Sequence, residues 1–148
     1  MSHPETDNPL GTELLEFIQR RLDESTLTFH TTLPPQRAQY AQWPEWVLPQ
    51  LREKLVEGGV GKLYRHQAEL AQAAWEGEDA VIATGTSSGK SLGYQLPILS
   101  RLAQEPTACA LYLTPTKALG SDQLQAVLEL CRGIPALKTV VPAPYDGD

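Results

Sequence analysis

Residues 80–92 read Ala-Val-Ile-Ala-Thr-Gly-Thr-Ser-Ser-Gly-Lys-Ser-Leu, and the rest of the chain is organised around this stretch. Its first four residues are small or branched and apolar, which predicts a short strand buried on both faces. A loop rich in Gly, Ser and Thr follows, and apolar residues then recur at helical spacing after Ser91. A strand, a glycine-rich loop that ends in Gly-Lys-Ser, and a helix together predict a phosphate-binding P-loop.

The chemistry of this loop predicts a site for ATP and Mg²⁺. Amides of the loop and of the first helical turn converge on an anion. Lys90, the candidate catalytic residue, would contact the β- and γ-phosphates, and the Ser91 hydroxyl would bind Mg²⁺. The residues predicted to hold the nucleotide are Thr84, Gly85, Thr86, Ser87, Ser88, Gly89, Lys90 and Ser91. Because Thr84 stands where the strict pattern has glycine, a polar strand-to-helix loop with a solvated lysine is the alternative.

Length and composition indicate one ordinary globular domain. The chain has 148 residues, of which 41% are hydrophobic and 20% charged. Its net charge of −6 excludes a generally basic surface, so any contact with nucleic acid must come from locally placed groups. Cys109 and Cys131 lie in apolar runs, which predicts buried thiols rather than a disulfide or a zinc site. With a polar, acidic start and no long apolar run, we expect a cytoplasmic protein without membrane contact.

The pattern along the chain predicts two parts. Residues 1–44 are expected to form a helix capped by Thr12 and then an extended arm, and residues 45–148 to form the domain that contains the P-loop. Trp43 and Trp46 are predicted to fasten the arm to that domain, with stacking on bases as the alternative.

Apolar runs alternate with helical patterns in the second part. Ser121 and Asp122 are expected to begin the helix after the second of these runs. Strands connected by helices predict an α/β fold with right-handed crossovers and a parallel sheet. The strands are expected at residues 80–83, 108–113 and 137–141.

Three features in one order carry a resemblance to a known family. A glutamine, Gln67, precedes the P-loop strand, the relaxed P-loop follows, and the next predicted strand ends in Thr-Pro-Thr-Lys-Ala-Leu at residues 114–119. Over residues 37–148 the chain resembles the first RecA-like domain of superfamily-2 DEAD/DEAH-type helicases. The sequences of residues 86–97 and 112–124 and the final Tyr-Asp-Gly-Asp are similar to those of the RecQ-related DNA helicases. This group includes the bacterial mitomycin-repair enzymes.

The resemblance assigns roles to individual residues. It implies that Gln67 reads the adenine edge and that Tyr64 stacks on the adenine face, against the alternatives of a solvated helix-start residue and a core tyrosine. It also implies contacts to single-strand phosphates, and a capping turn is the alternative for this group. The residues in this group are Thr114, Pro115, Thr116 and Lys117, with Gly147 in the final turn as a further contact.

The chain has no Asp-Glu pair at the end of a strand, although such a pair holds Mg²⁺ and places the attacking water in these enzymes. We therefore expect an N-terminal fragment of a longer helicase: an incomplete first RecA-like domain that does not hydrolyse ATP or unwind by itself. The resemblance implies translocation on single-stranded DNA, or alternatively RNA, with 3′-to-5′ polarity and with the remaining helicase domains as partners. A P-loop kinase and a non-catalytic nucleotide-binding module remain the alternatives.

Overall fold

The computed structural model describes residues 9–21, 29, 31, 37–85 and 89–145. The chain divides into two compact units, Met1–Ala38 and Gln39–Asp148. In the first unit, helix α1 spans Pro9–Arg21. Proline fits a first turn because no amide donor is needed there. The helix therefore begins before Thr12, and the prediction that Thr12 caps it is wrong.

The second unit consists of four α-helices, one 3₁₀ helix and one small sheet among its described residues. The two strands pair antiparallel, with Tyr40 opposite Tyr64 and Ala41 opposite Leu63. In chain order the elements are β1 (Tyr40–Ala41), α2 (Pro49–Glu57), β2 (Leu63–Tyr64), α3 (Arg65–Glu76), α4 (Ser91–Gln104), α5 (Lys117–Cys131) and a 3₁₀ helix (Pro135–Leu137).

The hydrophobic core lies where α3 and α4 pack together and is closed by α2 and the 3₁₀ helix. A Cβ atom on Gly93 would lie 2.6 Å from Leu70 Cδ2, so the missing side chain lets α3 and α4 approach closely. At the start of α2, the Leu48 amide donates to the buried Ser100 hydroxyl (3.1 Å). The buried apolar residues are Val47, Leu51, Leu55, Leu63, Ala68, Ala71, Leu96, Leu99, Ile134 and Leu137.

Two tryptophans fasten the start of the second unit to α3 and to the turn before β2. The Trp46 ring stacks on Trp75 (4.5 Å between centroids, 6° between planes), and its Nε1 donates to Gln72 Oε1 (2.8 Å). Trp43 Nε1 donates to the Gly61 carbonyl (3.3 Å). Both tryptophans therefore hold the start of the second unit, while most of the predicted arm lies outside the described residues and its fastening stays a prediction.

The predicted parallel sheet is not formed among the described residues. Residues 80–83 and 108–113 have no regular secondary structure, and the third predicted strand begins inside the 3₁₀ helix. A strand is stable only when a neighbour accepts and donates its backbone hydrogen bonds, and the described part of the chain offers these segments no such partner. Their apolar side chains are accordingly exposed, as Val81 (98%) and Leu111 (82%) demonstrate. Within the described residues, no helix has the length and apolar character needed to cross a membrane.

Candidate nucleotide and nucleic-acid site

Gln67 joins the start of α3 to the phosphate loop. Its Oε1 accepts a hydrogen bond from the Tyr64 amide (2.8 Å), and its Nε2 donates to the Gly89 carbonyl (2.8 Å). The side chain is buried, with 3% of the residue exposed. An amide side chain has two donor hydrogens and two acceptor lone pairs. The two bonds therefore leave one hydrogen and one lone pair, which is the set needed to read the edge of a base.

Two features of the structure require glycine at position 89. Its φ of +69° is a backbone conformation that glycine adopts without strain. A Cβ atom there would also lie 2.5 Å from Gln67 Nε2. The glycine therefore allows the loop to turn into α4 while the buried glutamine holds its carbonyl.

Lys90 and Ser91 lie at the point where the loop becomes a helix. The Lys90 ammonium donates to the carbonyls of Thr84 (3.2 Å) and Gly85 (2.7 Å), so it lies across the loop that it closes. Ser91 is the first residue of α4, at the positive end of the helix dipole, and the Leu92 and Gly93 amides of this turn donate to the carbonyls of Gly89 (3.3 Å) and Lys90 (3.0 Å). These groups fit the phosphates of a nucleotide.

Part of the predicted loop lies outside the described residues. These positions are Thr86, Ser87, Ser88 and, at the end of the chain, Gly147. Among the residues that the structure does describe, no three His, Cys, Asp or Glu side chains form a metal cluster. The Ser91 hydroxyl is an oxygen donor of the kind that Mg²⁺ takes, and its contact to Mg²⁺ stays a prediction.

A pocket of about 600 Å³ opens beside the phosphate loop and is lined by Gln67, Gly89, Tyr64, Tyr40 and the 59–62 turn. The Tyr64 ring is partly exposed (39%) and stacks on Tyr40 (5.3 Å between centroids, 17° between planes). Tyr64 is therefore not a core residue. Tyr40 is a lining residue that the sequence did not reveal, because the register of β1 against β2, which places it opposite Tyr64, is visible only in the fold.

The predicted nucleic-acid group forms a compact turn at the start of α5. Thr116 is the N-cap of this helix, and its hydroxyl accepts from the Leu119 amide (3.3 Å). Thr114 Oγ1 donates to the Thr116 carbonyl (3.1 Å) and would lie 3.1 Å from a Cβ atom on Gly120. The capping turn is thus present, and it leaves Lys117 in the first turn of an exposed helix start. The helix begins at Lys117, so the predicted start at Ser121 is wrong by one turn.

Tyr112 precedes this turn by two residues and has a perturbed ionisation. Its hydroxyl lies 2.7 Å from the Tyr94 hydroxyl, which in turn donates to Gln123 Oε1 (3.0 Å). Loss of solvent around the ring, and then the hydrogen bond to Tyr94, raise the pKa of Tyr112 from 10.0 to about 12. The phenol is therefore neutral at physiological pH.

The structure brings the predicted residues together in two groups. One group joins Gln67 to the phosphate loop through hydrogen bonds across 22 residues of chain. The other joins Thr114 to the first turn of α5 through hydrogen bonds between near neighbours.

Known proteins with related sequences are ATP-dependent helicases. The DEAD/DEAH box helicase family matches residues 64–147. The ATP-dependent helicase hrq1 of Schizosaccharomyces pombe is 35% identical over 118 residues, which cover 79% of this chain and 11% of hrq1. The uncharacterized ATP-dependent helicase YprA of Bacillus subtilis is 36% identical over 139 residues, which cover 93% of this chain and 18% of YprA.

A solved structure is similar as well. The crystal structure of the DUF1998 helicase MrfA bound to DNA and AMPPNP matches with a TM-score of 0.69 and 38% identity. The match covers 78% of this chain and 16% of MrfA. The chain therefore spans between 11% and 18% of the length of these three relatives.

Proposed function

The chain belongs to the DEAD/DEAH box helicase family, and from that premise we propose that it is the ATP-binding part of an ATP-dependent DNA helicase of the RecQ-related, mitomycin-repair type. Membership implies a RecA-like α/β fold. We propose further that this chain is the incomplete first RecA-like domain, and that strands elsewhere in the whole protein pair with its extended segments. Turnover, 3′-to-5′ translocation and unwinding would then belong to the whole protein.

The observation that carries this proposal is the hydrogen bond from Gln67 Nε2 to the Gly89 carbonyl (2.8 Å). The bond brings the Gln67 amide into direct contact with the phosphate loop, and both line one pocket, which supports the proposal of a nucleotide site. ATP with Mg²⁺ supplies the phosphoryl group that is transferred to water. The residues of this chain bind and orient it: Gln67 and Tyr64 at the base, and Lys90 and the amides at the start of α4 at the phosphates.

Single-stranded DNA is the proposed second ligand. The turn formed by Thr114, Pro115 and Thr116 offers the Thr116 hydroxyl hydrogen and the threonine amides, and Lys117 adds a cation; such groups bind phosphates without reading bases. Thr114 would donate to a phosphate only by giving up its bond to the Thr116 carbonyl. This assignment is compatible with the net charge of −6, because it needs only local groups.

Replacement of the loop lysine tests the proposal. In the whole protein, Lys90→Ala should abolish DNA-stimulated ATP hydrolysis, because it removes the cation that stabilises charge on the transferred phosphoryl group. The melting temperature should change little, since Lys90 is not fully buried and its bonds to the Thr84 and Gly85 carbonyls reach only residues close to it in the chain. Lys138→Ala, at an exposed lysine after the 3₁₀ helix, is the matched control and should hydrolyse normally. Retained hydrolysis in Lys90→Ala would overturn the assignment of the phosphate loop.

The two alternative functions predict different ligand responses. A P-loop kinase would transfer phosphate to an acceptor and ignore DNA, whereas a helicase hydrolyses ATP faster when single-stranded DNA is added. The non-catalytic module would be a degenerate nucleotide-binding half that serves as a scaffold and has lost its affinity for nucleotide. Mg²⁺ and ATP would then leave the melting temperature of the chain unchanged, although a ligand that binds only the folded state must raise it.

A further inference from the structure

A polar cluster connects α4 to the segment that leads into the nucleic-acid turn. We call Tyr94, Tyr112 and Gln123 the tyrosine–glutamine cluster. The Tyr94 hydroxyl lies 2.7 Å from that of Tyr112 and donates to Gln123 Oε1 (3.0 Å). A phenol has one hydrogen, so when Tyr94 donates to Gln123, Tyr112 must donate to Tyr94. The cluster is therefore a directed chain of two hydrogen bonds.

Each member of the cluster lies close in sequence to one part of the two proposed sites. Tyr94 is one helical turn after Lys90, on the helix that begins at the phosphate loop. Tyr112 is two residues before Thr114, and Gln123 is seven residues after the N-cap Thr116. A movement at the start of α4 would thus shift the residues on both sides of the nucleic-acid turn, Tyr112 before it and Gln123 after it.

The hydrogen bonds to Gln123 matter for the position of α5, because few other contacts hold the first half of this helix. Its last turn is fixed by Lys54, whose ammonium donates to the Arg132 carbonyl (2.8 Å), and Val127 and Leu130 pack on the core. No residue of α5 is fully buried. In its first half, the side-chain bonds from Tyr94 and Gln95 to Gln123 connect it to α4, which carries a buried face. The start of α5 therefore takes its position relative to α4 largely from Gln123.

We propose that the tyrosine–glutamine cluster is a positioning device that couples the nucleotide site to the nucleic-acid turn. In this role it holds Thr114 and Thr116 in the geometry that binds phosphates when nucleotide is bound at the start of α4. The inference rests on the proposed function, since it needs both ligands. Coupling of this kind is reciprocal, so single-stranded DNA must strengthen nucleotide binding by the same factor.

The test measures the affinity of the whole protein, with this chain unmodified or substituted, for a labelled oligothymidylate, with and without Mg²⁺ and a non-hydrolysable ATP analogue. In the unmodified chain, we expect the analogue to strengthen DNA binding by roughly fivefold or more. In Tyr112→Phe and in Gln123→Ala, the ratio of the two affinities should fall to about one, because the chain of bonds is broken. The affinity without nucleotide should change less than the ratio does. Combining the two substitutions should add no further loss, because both act on one chain of bonds.

The controls separate coupling from folding. Gln125→Ala, at an exposed position on the same helix, should keep the ratio of the unmodified chain. Tyr112→Phe retains the ring and removes only a hydroxyl, so it keeps the contacts needed for folding. A merely structural role would lower the melting temperature and leave the ratio unchanged.

The outcomes are distinguishable. A normal ratio in both Tyr112→Phe and Gln123→Ala would overturn the coupling role. So would a ratio of one in an unmodified chain that binds both ligands, and the proposed function would then stand. Failure of the whole protein without substitutions to bind either ligand would overturn the proposed function, and the coupling with it.

Discussion

Gln67 and Thr116 each accept a hydrogen bond from a backbone amide at the start of a helix, but they do so in different surroundings. Gln67 is 3% exposed and also reaches Gly89, 22 residues further along the chain. Thr116 is exposed, and its bond to the Leu119 amide is local. The nucleotide side of the unit is therefore held by contacts between distant segments, and the nucleic-acid side by contacts within one turn.

This difference explains how the two sides should respond to change. A buried side chain that links distant segments cannot be replaced without loss, because the substitute leaves either a cavity or a buried polar group without its partner. When an exposed capping side chain is removed, water can take its place as the acceptor of the backbone amide, so the loss is smaller. The nucleotide side should therefore be rigid and sensitive to substitution, and the nucleic-acid side tolerant and adjustable.

The largest expected effect is a difference in the free energy of unfolding between two Leu→Ala variants. Leu96→Ala, in the core face of α4 (1% exposed), should lower the free energy of unfolding by about 2–5 kcal/mol, because it removes buried contacts and leaves a cavity. Leu111→Ala, in the extended segment (82% exposed), should stay within about 0.5 kcal/mol of the unmodified chain. Urea unfolding of the 148-residue chain measures both. Equal losses would mean that the extended segment is packed in solution.

A second comparison concerns the buried glutamine. In Gln67→Glu the carboxylate can still accept from the Tyr64 amide, but it has no hydrogen for the Gly89 carbonyl. We expect a loss of about 1–3 kcal/mol in the free energy of unfolding and a smaller rise in melting temperature with Mg²⁺ and ATP. Gln125→Glu, at an exposed position on α5, makes the same chemical change and should have little effect. If the two variants behave alike, Gln67 does not hold the phosphate loop.

Local sequence predicts both ends of α2 and the end of α3, whereas its predictions for the starts of α1 and α5 are wrong. The sequence predicts α2 at residues 49–57, as observed, because Pro49 fits a first turn and glycine follows the last one. Gly77 ends α3 with a φ of +81°, the left-handed conformation that glycine adopts after many helices. These signals act within a few residues, so no knowledge of tertiary structure is needed.

The strands and part of the site could not be predicted in the same way. An apolar run such as 108–113 has the composition of a buried strand, but whether it pairs depends on a neighbouring segment. Tyr40 was missed because its place beside Tyr64 follows from the register of β1 on β2. Thr116 was named as a phosphate contact with capping as the alternative, and a pattern alone could not reveal that its hydroxyl caps α5.

A smaller effect is expected at this cap. Thr116→Ala should lower the free energy of unfolding by about 1 kcal/mol, because the Leu119 amide loses its acceptor. Thr116→Ser keeps the hydroxyl and should restore most of this loss, and urea unfolding of the three proteins measures both changes. A serine variant as unstable as the alanine variant would show that the methyl group, rather than the hydroxyl, supports the turn.

The smallest expected effect is a dependence on pH at Tyr112, on the tolerant side of the unit. Its pKa is raised from 10.0 to about 12 in the folded chain, so its contribution to stability is fully present below pH 10 and is lost as the pH rises through about 12. The ring is 45% exposed, which keeps this contribution small because solvent screens it. Urea unfolding at a series of pH values should show the difference between the unmodified chain and Tyr112→Phe constant below pH 10 and shrinking above it. A difference that grows above pH 10 would mean that the folded state favours the ionised phenol, and the direction of the Tyr112–Tyr94 bond would have to be reversed.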